Sequence, residues 1–178
     1  MEDLESAATS SADMRLLGGG NPARIPEVQN RFRHAMVDLL ADGEQFERVT
    51  GEYDGARGHA RFIDGLAALL NSRCGWDVEP KNIAITNGSQ SSFYLLFHLF
   101  AGEFNQSKKR KILLPLAPEY IGYADVGMGA EFFHAYRPSI EFIGDGEFKY
   151  HVDFESLTIS DEMGAIAVSR PTNPTGNV

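Results

Sequence analysis

The stretch that decides the fold is IAITNGSQSSFYLLFHLFA, residues 83–101. Its first residues, 83–86, are rich in β-branched side chains and predict a short strand, and the mostly apolar run over 89–101 predicts a helix. Between them lie Asn87 and Gly88, and glycine permits the tight turn that joins a strand to a helix. Because this helix is apolar nearly all round, we expect it to be buried.

The same alternation continues towards the carboxyl terminus. The expected elements are strands at 111–115, 132–136 and 165–169, a helix over 119–128, and a hairpin around 144–146. Strands that alternate with helices indicate βαβ units. The sequence therefore predicts an α/β fold with a mainly parallel sheet and flanking helices.

Towards the amino terminus, helical periodicity replaces this alternation. Val28, Phe32 and Met36 recur at helical spacing after Pro26, which predicts a helix with one buried face that stops at Gly43. A Gly-rich segment then leads to a second amphipathic helix, which carries Phe62, Leu66, Leu69 and Leu70. We divide the chain into a disordered start at 1–14, a helical segment at 15–75 and the α/β part at 76–178.

Composition excludes several classes of function. The chain has a net charge of −9 and a pI near 5.0, so it does not have the excess of positive charge that nucleic-acid binding needs. The single cysteine, Cys74, cannot form an internal disulfide, which is typical of the cytoplasm. No apolar run approaches the roughly 20 residues of a membrane span, and the five histidines show no paired metal-ligand spacing. We expect a cytoplasmic protein without a metal site.

Gly88, Ser89 and Gln90 are the first candidate for a binding site. In open α/β sheets, ligands bind at the carboxyl ends of the strands, where helices begin. The free N–H groups of a helix start attract anions such as phosphate, and Ser89 and Gln90 can add side-chain donors. The alternative is an ordinary turn in which Ser89 caps the helix.

Two further candidates, Tyr120 and Asn173, follow later strands. We expect them at the same carboxyl edge of the sheet as Ser89 and Gln90. Tyr120 lies in a proline-stiffened loop, where its ring suits a flat heterocycle, although it could equally close the core. Pro174 keeps Asn173 out of the helical region, so its amide projects from a turn and can donate to an anionic oxygen. A simple turn explains that composition equally well. Arg170 could clamp an anion, but an arginine there is more often an ion-pair partner.

Five short motifs occur in an order that resembles one enzyme family. They are LGGGNP (17–22), YDGARG (53–58), TNGSQ (86–90), PEY (118–120) and NPTG (173–176). Together they resemble the class I and II aminotransferases, which are fold-type I pyridoxal-phosphate enzymes. Longer strings, among them ITNGSQSSF (85–93) and SRPTNPTGNV (169–178), resemble a branch that exchanges an amino group between valine and pyruvate.

The resemblance implies roles for the candidate residues. Gly88, Ser89 and Gln90 would hold the phosphate of pyridoxal 5'-phosphate, Tyr120 would stack on its ring, and Asn173 would bond the ring's 3-oxygen. Tyr53 would reach the phosphate of a neighbouring subunit in a homodimer, and Gly20 would lie near the substrate carboxylate. The substrates implied are an amino acid and a 2-oxo acid, here valine and pyruvate, which give 2-oxoisovalerate and alanine.

The family's Schiff-base lysine is absent from the chain. In the family this lysine and the aspartate facing the ring nitrogen both follow the Asn-Pro-Thr-Gly motif, and no lysine of the chain has the desolvated setting that imine formation needs. We therefore expect the amino-terminal part of a longer enzyme, shorter than the family at its start, with no catalytic residue of its own and no turnover. The fold expected is the first part of a fold-type I large domain.

Three alternatives remain open. The first is a non-catalytic, aminotransferase-like effector-binding domain of a transcription regulator, although such proteins carry a basic domain upstream. The second is a fold-type I lyase or decarboxylase. The third is a plain nucleotide-binding domain, for which the sequence lacks both glycine-rich phosphate motifs.

Overall fold

A computed structural model describes residues 22–104, 108–129 and 131–178, and the chain divides into two compact units, Met1–Tyr53 and Asp54–Val178. The disordered start expected at 1–14 lies outside the described residues. The domain boundary expected after residue 75 stays a prediction.

Two helices form the described part of the first unit. Helix α1 (Pro26–Ala41) begins at its proline, as predicted, since proline is favoured in the first helical turn. Helix α1 ends just before Gly43, as predicted, but Gly43 itself opens a second helix, α2 (Gly43–Gly51), which was not predicted from the sequence. The signal was Asp42, whose carboxylate accepts the backbone N–H of Gln45 at 3.2 Å as the N-cap of α2.

The buried face expected for α1 is wrong for this chain. None of the residues of α1 is buried, and Phe32 is 72% exposed. Helical periodicity shows which face of a helix can pack, but that face is buried only where a neighbouring surface covers it.

The second unit opens with two helices that were both predicted. Helix α3 (Ala60–Cys74) ends at Gly75, whose φ of 66° is the left-handed conformation that glycine adopts easily. Helix α4 (Ser89–Phe100) contributes Phe97 to the core. Its expected full burial is wrong, since Leu99 is 66% and Leu95 54% exposed. None of the helices in the described ranges is long and apolar enough to cross a membrane.

A small mixed sheet forms around one central strand. Strand β2 (Lys108–Leu114) pairs antiparallel with β1 (Gly102–Phe104) and parallel with both β3 (Phe133–Ala135) and β6 (Met163–Ile166). The strands predicted at 111–115, 132–136 and 165–169 are therefore present with shifted ends. The predicted hairpin is present as β4 (Ser139–Gly144) and β5 (Glu147–His151), which form a separate two-stranded sheet.

Two predicted elements are wrong. Residues 83–86 form no strand: Ile83 is extended (φ −116°, ψ 132°), but the amide of Ile85 donates to the loop carbonyl of Arg57. An extended segment becomes a strand only when a neighbour supplies a ladder of hydrogen bonds. The helix expected over 119–128 is reduced to a single 3-10 turn, Ile121–Tyr123, followed by irregular turns.

The core of the second unit lies between α4 and the sheet. Seven buried residues form it: Phe97, Ala101, Ile112, Tyr123, Val126, Phe132 and Ala167. The 3-10 turn is anchored there by the ring of Tyr123, which meets the rings of Phe93 and Phe97 edge-on at 4.9 and 5.2 Å. This packing fixes the loop that follows β2 at the carboxyl edge of the sheet.

Candidate functional site

The amino end of α4 presents three free backbone amides. Gly88 precedes the helix at a φ of 88°, which favours glycine, and its carbonyl accepts the amide of Ser92. Among the described residues, none accepts a hydrogen bond from the amides of Ser89, Gln90 or Ser91, as helix geometry requires of the first turn. Ser89 is exposed and does not cap the helix, because Gly88 occupies the N-cap position.

Gln90 joins this helix start to the loop after β2. Its side-chain Nε2 donates a hydrogen bond of 2.6 Å to the carbonyl oxygen of Gly122, in the middle of the 3-10 turn. Thr86 supports the same corner from the other side, since its hydroxyl lies 2.8 Å from the Gly88 carbonyl and 2.6 Å from the Ser92 hydroxyl. The helix start and the loop are therefore held together.

Tyr120 precedes the 3-10 turn and packs against its residues. Its ring meets the ring of Tyr123 edge-on at 5.3 Å, and it lies partly buried against the core. A Cβ at Gly122 would come within 2.5 Å of the Tyr120 ring, so the turn needs glycine to pass so close to it. The ring of Tyr120 is therefore fixed. It packs against the core, as the core-closing interpretation expects, and it is also partly exposed, as stacking on a flat heterocycle requires.

Asn173 lies beside the Tyr120 loop. Its backbone carbonyl accepts the amide of Ile121 at 3.2 Å, which joins the loop after β6 to the loop after β2. The residue itself is exposed, and within the described ranges no hydrogen bond occupies its side-chain amide. The structure thus gathers Gln90, Tyr120 and Asn173 at one edge of the sheet.

Two buried polar residues, Glu119 and Thr172, were not predicted from the sequence. Glu119 accepts hydrogen bonds from the amides of Tyr120 and Ser169, and it forms an ion pair with Arg170 at 2.9 Å. The ion-pair interpretation of Arg170 is therefore correct, although its partner is buried. A carboxylate inside the apolar run after β2 was the available signal, because a buried charge needs a partner.

Tyr123 carries the one resolved pKa shift near this site. Burial raises the pKa of its phenol above the ordinary value of 10.0, while a hydrogen bond with Ser169 partly offsets the effect. The neutral phenol is therefore the stable form beneath the Tyr120 loop.

The remaining predicted residues are not brought into this group. Tyr53 ends the first unit with a fully exposed ring, and Gly20 lies outside the described residues. The lysines of the chain also lie outside this group. Three are on β2 before its carboxyl end, namely Lys108, Lys109 and Lys111, whereas Lys81 pairs with Glu79 and Lys149 is on the hairpin. Within the described ranges, no three His, Cys, Asp or Glu side chains are grouped to hold a metal ion.

Known proteins resemble this chain over its whole length. No protein-family model matches it. It is 51% identical over 178 residues to valine–pyruvate aminotransferase of Escherichia coli (strain K12), and it spans 42% of that protein. The crystal structure of valine-pyruvate aminotransferase from Salmonella typhimurium LT2 has a TM-score of 0.75 and 52% identity, covering 91% of this chain and 39% of that one. A putative amino-acid aminotransferase from Psychrobacter arcticum 273-4 has a TM-score of 0.84 and 41% identity, covering 99% and 44%.

Proposed function

Because the chain belongs to the fold-type I aminotransferases, we propose that the whole protein exchanges an amino group between valine and pyruvate, giving 2-oxoisovalerate and alanine. Pyridoxal 5'-phosphate is the proposed cofactor. The observation that carries the proposal is the meeting of the α4 amino end, the Tyr120 loop and Asn173 at the carboxyl edge of the sheet.

The donors at the start of α4 suit a phosphate. Three amides without acceptors among the described residues face outwards there, and the hydroxyl of Ser89 adds a fourth donor. Such a helix start favours anions through both its free N–H groups and its dipole. We assign Gly88, Ser89 and Gln90 to this phosphate seat, with Gly88 supplying the turn.

Tyr120 and Asn173 suit the ring of the same cofactor. Tyr120 offers a partly exposed aromatic ring that is fixed by Tyr123 and Gly122, and offset stacking adds about 0.5–1.5 kcal/mol beyond the burial of area. The side-chain amide of Asn173, which no described residue engages, can donate to the ring's 3-oxygen. The donor set of the chain therefore fits the cofactor.

The contribution of the chain is binding and orientation. When bound, pyridoxal phosphate supplies the electron sink for amino-group transfer. The α4 amides would hold its phosphate, Tyr120 would stack on its ring and exclude water from it, and Asn173 would orient the ring through a hydrogen bond. No residue of the chain is assigned to proton transfer or to the covalent link, and we propose that the chain alone does not turn over.

Partners and surroundings follow from the same proposal. The whole protein forms a homodimer in which the exposed Tyr53 ring reaches the phosphate of the other subunit, and Gly20 approaches the substrate carboxylate. A cytoplasmic location is proposed from the single, unpaired Cys74.

Amino-group transfer by the whole protein tests the proposal. Purified protein loaded with pyridoxal phosphate is expected to convert valine and pyruvate to 2-oxoisovalerate and alanine, both quantified by chromatography. Replacement of Tyr120 by leucine is expected to lower kcat/KM by about tenfold, since stacking is lost. Tyr150→Leu, on the β4–β5 hairpin, is the matched control. Cofactor binding without transfer from valine or any other amino acid would refute the function.

A further inference from the structure

One buried carboxylate spans two loops at the edge of the sheet. The side chain of Glu119 is 2% exposed, and its Oε1 accepts the amide of Tyr120 at 3.3 Å and the amide of Ser169 at 2.9 Å. These two amides belong to different loops, which follow the neighbouring parallel strands β2 and β6. A single oxygen atom therefore fixes the distance between the two loops.

The second oxygen of Glu119 extends the link towards Asn173. Arg170 Nη1 lies 2.9 Å from Glu119 Oε2, and it also donates to the Ser169 carbonyl at 2.6 Å and to the Thr172 hydroxyl at 2.7 Å. The Thr172 hydroxyl in turn donates to the Ser169 carbonyl at 2.6 Å. The loop is thereby drawn tightly around one guanidinium group, and Thr172, the residue before Asn173, is 2% exposed.

We propose that Glu119 is a positioning residue, which holds Tyr120 and Asn173 at the spacing that a bound pyridoxal-phosphate ring requires. The inference rests on the proposed function. Glu119 does not itself touch the ring, because its carboxylate is buried beneath the loop and its oxygens are occupied by Tyr120, Ser169 and Arg170.

The same contacts give Arg170 a structural task. Its Nη1 is shared among Glu119, Ser169 and Thr172, and its charge is balanced by the buried carboxylate. An arginine neutralised in this way contributes little attraction to a second anion. The network therefore positions the site without adding an anion clamp to it.

Glu119→Gln in the whole protein tests the proposal. Glutamine has nearly the same shape, and its one oxygen can still accept the amides of Tyr120 and Ser169. Its uncharged NH₂ group replaces the oxygen that accepts Arg170, so the contact that holds the loop before Asn173 is lost. The readouts are the dissociation constant of pyridoxal phosphate and the circular dichroism band of the bound cofactor, which reports how the ring is held. Glu141→Gln is the matched control, because the exposed carboxylate of Glu141 lies 2.7 Å from the ring of His151 on the hairpin.

The expected result is a dissociation constant raised about tenfold and a diminished or inverted cofactor band, with unchanged far-ultraviolet dichroism. A role in stability alone would lower the melting temperature and leave the band of the folded protein unchanged. That outcome, or wild-type values of both readouts, would overturn the proposal.

Thr172→Val is the second variant, to be used if Glu119→Gln does not fold. It keeps both charges and the side-chain shape but removes the hydroxyl that Arg170 bonds. A smaller change of the band in the same direction supports the proposal, and an unaltered band refutes it. If the unaltered protein itself binds no pyridoxal phosphate, the proposed function fails and this inference fails with it. Normal binding in both the wild type and Glu119→Gln removes the positioning role alone.

Discussion

The side-chain amide of Gln90 lies 2.6 Å from the carbonyl oxygen of Gly122 and donates a hydrogen bond to it. This bond joins the first turn of α4 to the turn that carries Tyr120, across 32 residues of sequence. The hydrogen bond therefore links the phosphate seat to the ring of Tyr120, and a substitution at Gln90 should affect the position of both.

Replacement of Gln90 by leucine is expected to weaken the binding of pyridoxal phosphate by the whole protein about five- to tenfold. The reason is that the loss of one hydrogen bond costs about 1 kcal/mol and frees the Tyr120 loop. Fluorescence or absorbance titration measures the dissociation constant. Gln29→Leu, at an exposed position on α1, is the control. Equal affinities of the two variants would contradict the assignment of Gln90.

Borohydride reduction of this chain with pyridoxal phosphate is expected to leave no stoichiometric adduct at any one lysine. An imine site needs a desolvated and unpaired amine. By contrast, the amine of Lys81 lies 2.6 Å from Glu79, and Lys109 and Lys111 pair with Glu103 and Glu131. Peptide mapping by mass spectrometry measures the adducts. A single lysine modified to completion would show that the chain carries its own reactive amine.

Gly164→Ala is expected to destabilise the fold by about 1–3 kcal/mol or more. A Cβ at Gly164 would overlap the carbonyl oxygen of Phe100, so strand β6 and the end of α4 would have to move apart. Gly65→Ala in α3 is the matched substitution, with nothing within 4 Å of its Cβ. It should stabilise by about 0.5–1 kcal/mol through helix propensity. Denaturant unfolding of the whole protein measures both, and similar effects would contradict the close contact at Gly164.

Tyr123 is expected to ionise later than ordinary tyrosines as the pH rises. Burial raises its pKa above 10.0 in the folded state, so the unfolded chain loses this proton first. Its contribution to stability is therefore complete below pH 10.0 and is lost as the pH rises through the raised value. The free energy of unfolding of Tyr123→Phe should fall less steeply above pH 10.0 than that of Tyr150→Phe. Parallel slopes for the two variants would be the contrary result.

Much of the site could be predicted from sequence because its signals are local. The turn at Gly88, the start of α4 at Ser89 and the hairpin between β4 and β5 each depend on a few consecutive residues. The order of the five short motifs along the chain could also be read directly from the sequence. Gly43 shows the limit of such signals, because glycine often ends a helix, whereas here Asp42 caps a new one.

By itself, the sequence determined the α/β class, the positions of α3 and α4, and the residues suited to a phosphate and a flat ring. Tertiary structure alone decided that Glu119 pairs with Arg170, 51 residues away, and that Asn173 meets the Tyr120 loop. It also decided that residues 83–86 form no strand and that much of α4 stays exposed. The physical reason is that helix periodicity and turn chemistry act over a few residues. Strand pairing, burial and ion pairing depend on surfaces that folding brings together from distant parts of the chain.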